Sequence, residues 1–148
     1  MSSKVKGSRT ERELVHLFNE TGIWSAIRVA GSGLTNDPNP DVLAGNKGRS
    51  LAIECKSVKG RYKYLSREDI EQITTFASKF GAEAWFAIRF NNKGWYFLKP
   101  DHLEKTKSSN LAVNLELAEE RGLRFEELIK AGEKNAEYNK IQRTKQSF

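Results

Sequence analysis

Three side chains could share chemistry if the chain brings them together: Asp41, Glu54 and Lys56. In "LAIECKSVKG", residues 51–60, alternate residues of an extended strand share a face, so Glu54 and Lys56 point one way with Ala52 while Leu51, Ile53 and Cys55 point the other. For an isolated E-x-K triplet, an exposed face with an ordinary ion pair is the better reading. Asp41, however, follows Pro40 at the start of "DVLAG", and a hairpin through "AGNKGRSLAI" would carry it to the other two. Two converging carboxylates suit Mg2+, with Mn2+ as a substitute, and the carbonyl of Cys55 is a natural further ligand. Such an ion acidifies a bound water and neutralises charge on a phosphorane-like transition state, while Lys56 positions the attacking water. The chemistry expected is phosphodiester hydrolysis.

Other polar residues carry two readings each. Ser8-x-x-Glu11 fits a capping box, yet Glu11 also falls on the Leu14 and Phe18 stripe, where an anion needs a cation or a metal. Arg28, inside "SAIRVA", answers such a carboxylate, binds phosphate, or is a plain edge-strand arginine. "GSGLTN" lacks the G-x-x-x-x-G-K-[ST] pattern and reads as a flexible loop, with Ser32 as a turn former. His16 and His102 form no convincing Ser-His-Asp set.

The elements that must position these residues follow from periodicity. "GSRTERELVHLFNETG" predicts a helix capped by Ser8 and stopped at Gly22. "WSAIRVA", "DVLAG" and "SLAIECKSV" predict strands, "GNKG" a turn, and "KGRYKYL" a basic loop. Ser66 caps "REDIEQITTFASKFG", a helix with Ile70, Ile73, Ala77 and Phe80 as its buried stripe. "AEAWFAIRF" and "GWYFLK" flank the hairpin signal "NNKG". Residues 101–104 open a short helix, and the chain from Asn110 onward is helix-forming and charged, with a break at Gly122. This order predicts an α/β fold, a mixed central β-sheet flanked by helices. A main domain spans 1–107, and a charged helical extension, 108–148, packs in part on it.

Composition narrows the partners. The 148 residues carry a net charge of +6, crowded into Lys4, Lys6, Arg9 and Arg12 and into a second window with Lys47, Arg49, Lys56, Lys59, Arg61, Lys63 and Arg67. Clustered cations favour nucleic acid, with Tyr62 or Tyr64 stacking at opened bases. The lone Cys55 excludes an internal disulfide and reads as a buried, inert thiol. No apolar run is long enough to span a bilayer, and the basic N-terminus lacks the apolar stretch of a secretory signal, so a cytoplasmic, DNA-associated protein is expected.

Glu11 in "KGSRTERELV", Arg28 to Ser32 in "RVAGS", Asp41 in "PDVLAGN", and Glu54 with Lys56 in "IECK" together resemble the archaeal Hjc-type Holliday junction resolvases of the PD-(D/E)XK nuclease superfamily. The resemblance covers roughly residues 5 to 100, and ordered motifs are more specific than any one alone. It implies a restriction-endonuclease-like fold in which Asp41 and Glu54 bind the divalent metal, Glu11 assists the metal or its waters, and Lys56 serves the nucleophilic water. It lends Ser32 a catalytic role. It further implies a homodimer that engages a four-way DNA junction across a basic surface and makes paired symmetric nicks. Phe76 and Phe80 resemble interface aromatics, for which core packing is an equally good account. Two rivals stand beside this reading: a nuclease of the same superfamily acting on duplex, flap or damaged DNA, and a non-catalytic basic binding module. A binding module has no need of acids facing phosphates.

Overall fold

The first helix, α1 (Ser3–Glu20), turns one apolar stripe inward and buries Leu14 and Phe18 completely. It starts before Ser8, so the cap expected there is absent: serine competes for a helix start only where the preceding residues fail to extend the helix. Thr21 ends it by accepting the Trp24 amide at 3.1 Å, and Gly22 follows at φ 76°. The computed structural model describes residues 3–30, 37–105, 110–130 and 145.

The strands β1 (Ser25–Arg28), β2 (Val42–Gly45) and β3 (Ser50–Val58) run as an antiparallel meander. Next in the chain come β4 (Tyr62–Leu65), α2 (Arg67–Phe80), β5 (Glu83–Phe90) and β6 (Gly94–Leu98). Strands β3 and β5 pair in parallel, which demands a crossover, and α2 supplies it. A Ser66–Asp69 capping box starts α2, and Gly81 in the left-handed region ends it. The resulting five-stranded sheet has the order β1-β2-β3-β5-β6, and β5 and β6 form the expected hairpin.

Both faces of this sheet are covered. On one, α1 packs over Leu51, Ile53, Trp85 and Phe97; on the other, Ile73 and Ala77 of α2 pack over Ala52, Phe86 and Ile88. The alternation in β3 thereby sends Cys55 and Ser57 toward α1 and Glu54 and Lys56 toward α2.

Two expectations about the flanks are corrected. The basic segment read as a loop is β4, which pairs with β8 (Leu111–Asn114) and, through it, with β7 (Glu104–Lys105) in a second sheet of three strands. Residues 111–114 were expected to be helical; pairing partners on both sides override their local preference. The helix starts only where the Asn114 side chain accepts the Leu117 amide at 2.7 Å, giving α3 (Leu115–Arg121), and after the break at Gly122 comes α4 (Phe125–Leu128). The short helix foreseen near residue 101 is a 3₁₀ turn, Pro100–His102.

Arg49 belongs to this frame and not to a nucleic-acid surface. It is 8% exposed, donates to both carboxylate oxygens of Glu83 at 2.8 Å, and reaches the carbonyls of Leu128 and Lys130. A buried guanidinium persists only when so fully paired. It fastens the segment after α4 to the β2–β3 turn.

Candidate active site

Asp41 lies just ahead of β2, where its amide donates to the Ile53 carbonyl at 2.9 Å and its carbonyl accepts the Val29 amide. Its carboxylate continues the ladder in place of a backbone group, with Oδ2 accepting the Cys55 amide at 2.9 Å. The carboxylate is thus fixed, and Asp41 is 8% exposed. An amide and carbonyl of one strand residue share an edge, so the Cys55 carbonyl faces the same side.

Glu54 stands beside Asp41, and its carboxyl pKa is pushed up to about 9, first by burial and then by the neighbouring Asp41 charge. Two carboxylates this close require a shared proton or an added cation. Lys56 answers only in part: its ammonium stands 3.8 Å from Glu54 Oε1 and 3.5 Å from Asp69 Oδ2. Sequence reading had placed Asp69 only within α2; its spacing from the Ser66 cap was a signal of position, but nothing local linked it to Lys56.

Glu11 does not fold back onto a helix cap. Its Oε2 accepts from Arg28 Nε at 2.6 Å, tying α1 to the edge strand β1. Burial raises the Glu11 pKa, Arg28 opposes this, and Asp41 adds to it, so Glu11 belongs to the same acid cluster. Cys55, expected to be buried, is half-buried and lines a cleft, but desolvation and the surrounding acids push its thiol up, which suits an inert sulfhydryl.

The donor set fits a hard divalent ion in kind: carboxylates and a strand carbonyl. It is not a finished cage. Among the described residues no three His, Cys, Asp or Glu side chains stand together in metal-holding geometry, and Glu11 is engaged by Arg28.

The basic residues divide. Lys59 and Lys63 line a cleft with Gly7, Thr10, Cys55, Lys56 and Ser57. It adjoins a cavity of about 430 Å³ lined by Arg9, Thr10, Ser57, Lys59, Arg89 and Asn91, with Glu13 holding Arg89 at 3.1 Å. Arg89 escaped sequence reading because it sits singly inside an apolar strand. Arg61 and Arg67 instead form exposed ion pairs with Glu116 and Glu71, and Arg12 is exposed on α1. Tyr62 and Tyr64 are exposed and stacked on each other, ring centroids 5.9 Å apart. Lys4 and Lys6 lie on α1, with side chains outside the described residues, as is Ser32 altogether.

Phe80 was expected within the buried stripe of α2 but is 57% exposed, stacked on half-buried Phe76 at 5.1 Å. It lines an open apolar groove with Ile27, Leu43 and Leu51. Among the described residues no helix is long and apolar enough to cross a membrane.

A mixed sheet between helices, with an acid leading one strand and an acid and lysine on the next, defines a restriction-endonuclease-like, PD-(D/E)XK-type fold. The family model described as archaeal Holliday junction resolvase (Hjc) matches residues 2–137, and the chain belongs to that family. It is 43% identical over 130 residues to the crossover junction endodeoxyribonuclease Hjc of Archaeoglobus fulgidus, covering 84% of this chain and 95% of that one. Its identity to the Hjc of Sulfolobus acidocaldarius is 37% over 150 residues, covering 100% of this chain and 99% of the relative. The solved structure of the Archaeoglobus fulgidus Hjc, a Holliday junction resolvase, superposes with a TM-score of 0.75 at 41% identity, covering 81% of this chain and 95% of that one.

Proposed function

We propose that this protein is a crossover junction endodeoxyribonuclease that resolves four-way DNA junctions by paired, symmetric hydrolysis of phosphodiesters. The observation that carries this reading is the Asp41 carboxylate, clamped by the Cys55 amide at 2.9 Å beside a Glu54 whose pKa is driven to about 9. Adjacent carboxyls with a pKa so perturbed are characteristic of catalytic sites.

Asp41, Glu54 and the Cys55 carbonyl would hold Mg2+, or Mn2+ in its place, and Glu11 would complete the set through a water. Such an ion, when bound, acidifies a water ligand and neutralises phosphate charge. The chain's own residues do the rest. Lys56 presents a cation at the rim of the acid pair, where it orients the incoming water and answers charge on the phosphate. Arg28 and the cleft residues Lys59 and Lys63 hold the flanking phosphates, with Arg9 and Arg12 of α1 beside them, and the charges of Lys4 and Lys6 add to the attraction for DNA. The family resemblance lends Ser32, which lies outside the described residues, a catalytic role. Resolution needs two cuts of like polarity, which a twofold homodimer joined through Phe76 and Phe80 supplies.

The test compares cleavage of a labelled four-way junction and its component duplexes, with Mg2+ and with chelator. Junction cutting that requires Mg2+ and vanishes in Asp41→Asn and Glu54→Gln, with junction binding retained, supports the reading. Equal cutting of plain duplex points to the general nuclease, and binding with no cutting points to the non-catalytic module.

A further inference from the structure

The ammonium of Lys56 hangs between two acidic side chains: 3.5 Å from Asp69 Oδ2 and 3.8 Å from Glu54 Oε1. Both separations exceed hydrogen-bond length, so the charge is committed to neither partner. Asp69, by contrast, cannot follow the lysine. Its Oδ2 accepts the Ser66 amide at 3.3 Å while its own amide donates to Ser66 Oγ at 3.0 Å, which locks the side chain into the first turn of α2. The cap needs only an oxygen acceptor at this position, and a neutral asparagine or glutamine would supply one; the full negative charge has its use elsewhere. Lys56 is the cation that it faces.

We propose that Asp69 is a positioning residue for Lys56. Without the Asp69 carboxylate, the flexible lysine keeps only Glu54, 3.8 Å away, as a near acidic neighbour and is no longer held off it toward the phosphate. With Asp69 anchored across from Glu54, the ammonium is held between the two carboxyl groups, and Lys56 itself is among the residues that line the cleft with Lys59 and Lys63. The capping box therefore serves two ends at once: it starts the crossover helix and it sets where the lysine stands. This inference rests on the reading of Lys56 as a participant in cleavage.

The two duties of Asp69 can be separated. Asp69→Asn keeps the cap acceptor and removes the charge, whereas Ser66→Ala removes the cap hydroxyl and keeps the charge. Single-turnover and steady-state cleavage of a four-way junction would be measured beside junction affinity and thermal unfolding. For Asp69→Asn, kcat should fall about 10- to 100-fold, the scale of a misplaced catalytic group, with KM and junction Kd within about twofold of the parent. Ser66→Ala, which keeps the Ser66 amide that Asp69 Oδ2 accepts, should lower the unfolding temperature and cost far less in kcat than Asp69→Asn does. Asp69→Glu should restore part of the rate, and in a Lys56→Ala background Asp69→Asn should cost little more. Parental kcat in Asp69→Asn, an equal loss in Ser66→Ala, a defect confined to KM or Kd, or full additivity with Lys56→Ala would each overturn the inference. Normal cutting by Lys56→Ala would instead sink the underlying reading of the site.

Discussion

The guanidinium of Arg28 donates to the carboxylate of Glu11 at 2.6 Å, joining the edge strand to the first helix beside Asp41. The pair is charge-assisted and partly shielded, so it differs from an ordinary surface ion pair. Arg28→Ala should destabilise the protein by about 1–2 kcal/mol. In a Glu11→Gln background the same change should cost clearly less. A double-mutant cycle in urea measures the difference; additivity within roughly 0.5 kcal/mol would mean that the pair contributes nothing of its own.

Glu54 makes stability depend on pH in a direction opposite to that of a salt-bridged carboxylate. Its ordinary pKa of 4.5 rises to about 9 in the fold, so between those values the folded chain binds one proton more than the unfolded one. Stability therefore falls as pH rises through this window, and the penalty is complete above about 9. Melting curves in chelator from pH 5 to 9 should show a declining midpoint, with a flatter decline in Glu54→Gln. Added Mg2+ should recover most at the alkaline end, where it replaces the lost proton. A midpoint independent of pH would show that Glu54 is not desolvated against Asp41.

Lys59 and Lys63 line the cleft with Lys56, whereas Arg61 lies outside it in an exposed ion pair with Glu116. Each phosphate neutralised contributes about 0.9 to the slope of log K against log salt. Replacing Lys59 and Lys63 together should thus reduce the slope for junction binding by about 1 to 2, and Arg61→Ala should reduce it by less than one. Salt titrations by fluorescence anisotropy decide this. Equal slopes in all three proteins would make the cluster a solvated edge and no more.

What could be read from the sequence was what is written locally. The face shared by Glu54 and Lys56 follows from strand alternation alone, and Asp41 joins them through a short hairpin, so the core of the site was legible. Glu11 was half legible: its stripe pointed to the sheet, but the apparent cap with Ser8 was a coincidence of spacing inside a longer helix. Asp69 was invisible as a site residue because its tie to Lys56 exists only after the crossover packs α2 over β3. Arg49 was miscounted among the basic surface residues, since nothing in its neighbours announces the bidentate bond to Glu83. The strand at 111–114 was missed for the same reason: it depends on β4 and β7.

The last prediction concerns assembly. α2 buries Ile73 and Ala77 but leaves Phe80 57% exposed on top of Phe76, next to Ile27, which is 61% exposed on the sheet edge. Such apolar rings cost solvation energy in a monomer and are covered most economically by a second copy, one patch meeting itself across a twofold axis. Such a pairing would present two sets of Asp41, Glu54 and Lys56 to two strands of the junction. The protein should sediment as a dimer, and Phe76→Ala combined with Phe80→Ala should shift it toward monomer with its circular dichroism unchanged. On a supercoiled plasmid extruding a cruciform, the parent should yield linear product with little nicked circle, because both cuts fall within one binding event. The double variant should accumulate nicked circle, since its cuts become independent. A monomeric parent that still linearises the plasmid directly would remove the aromatic pair from the interface and the twofold dimer from the mechanism.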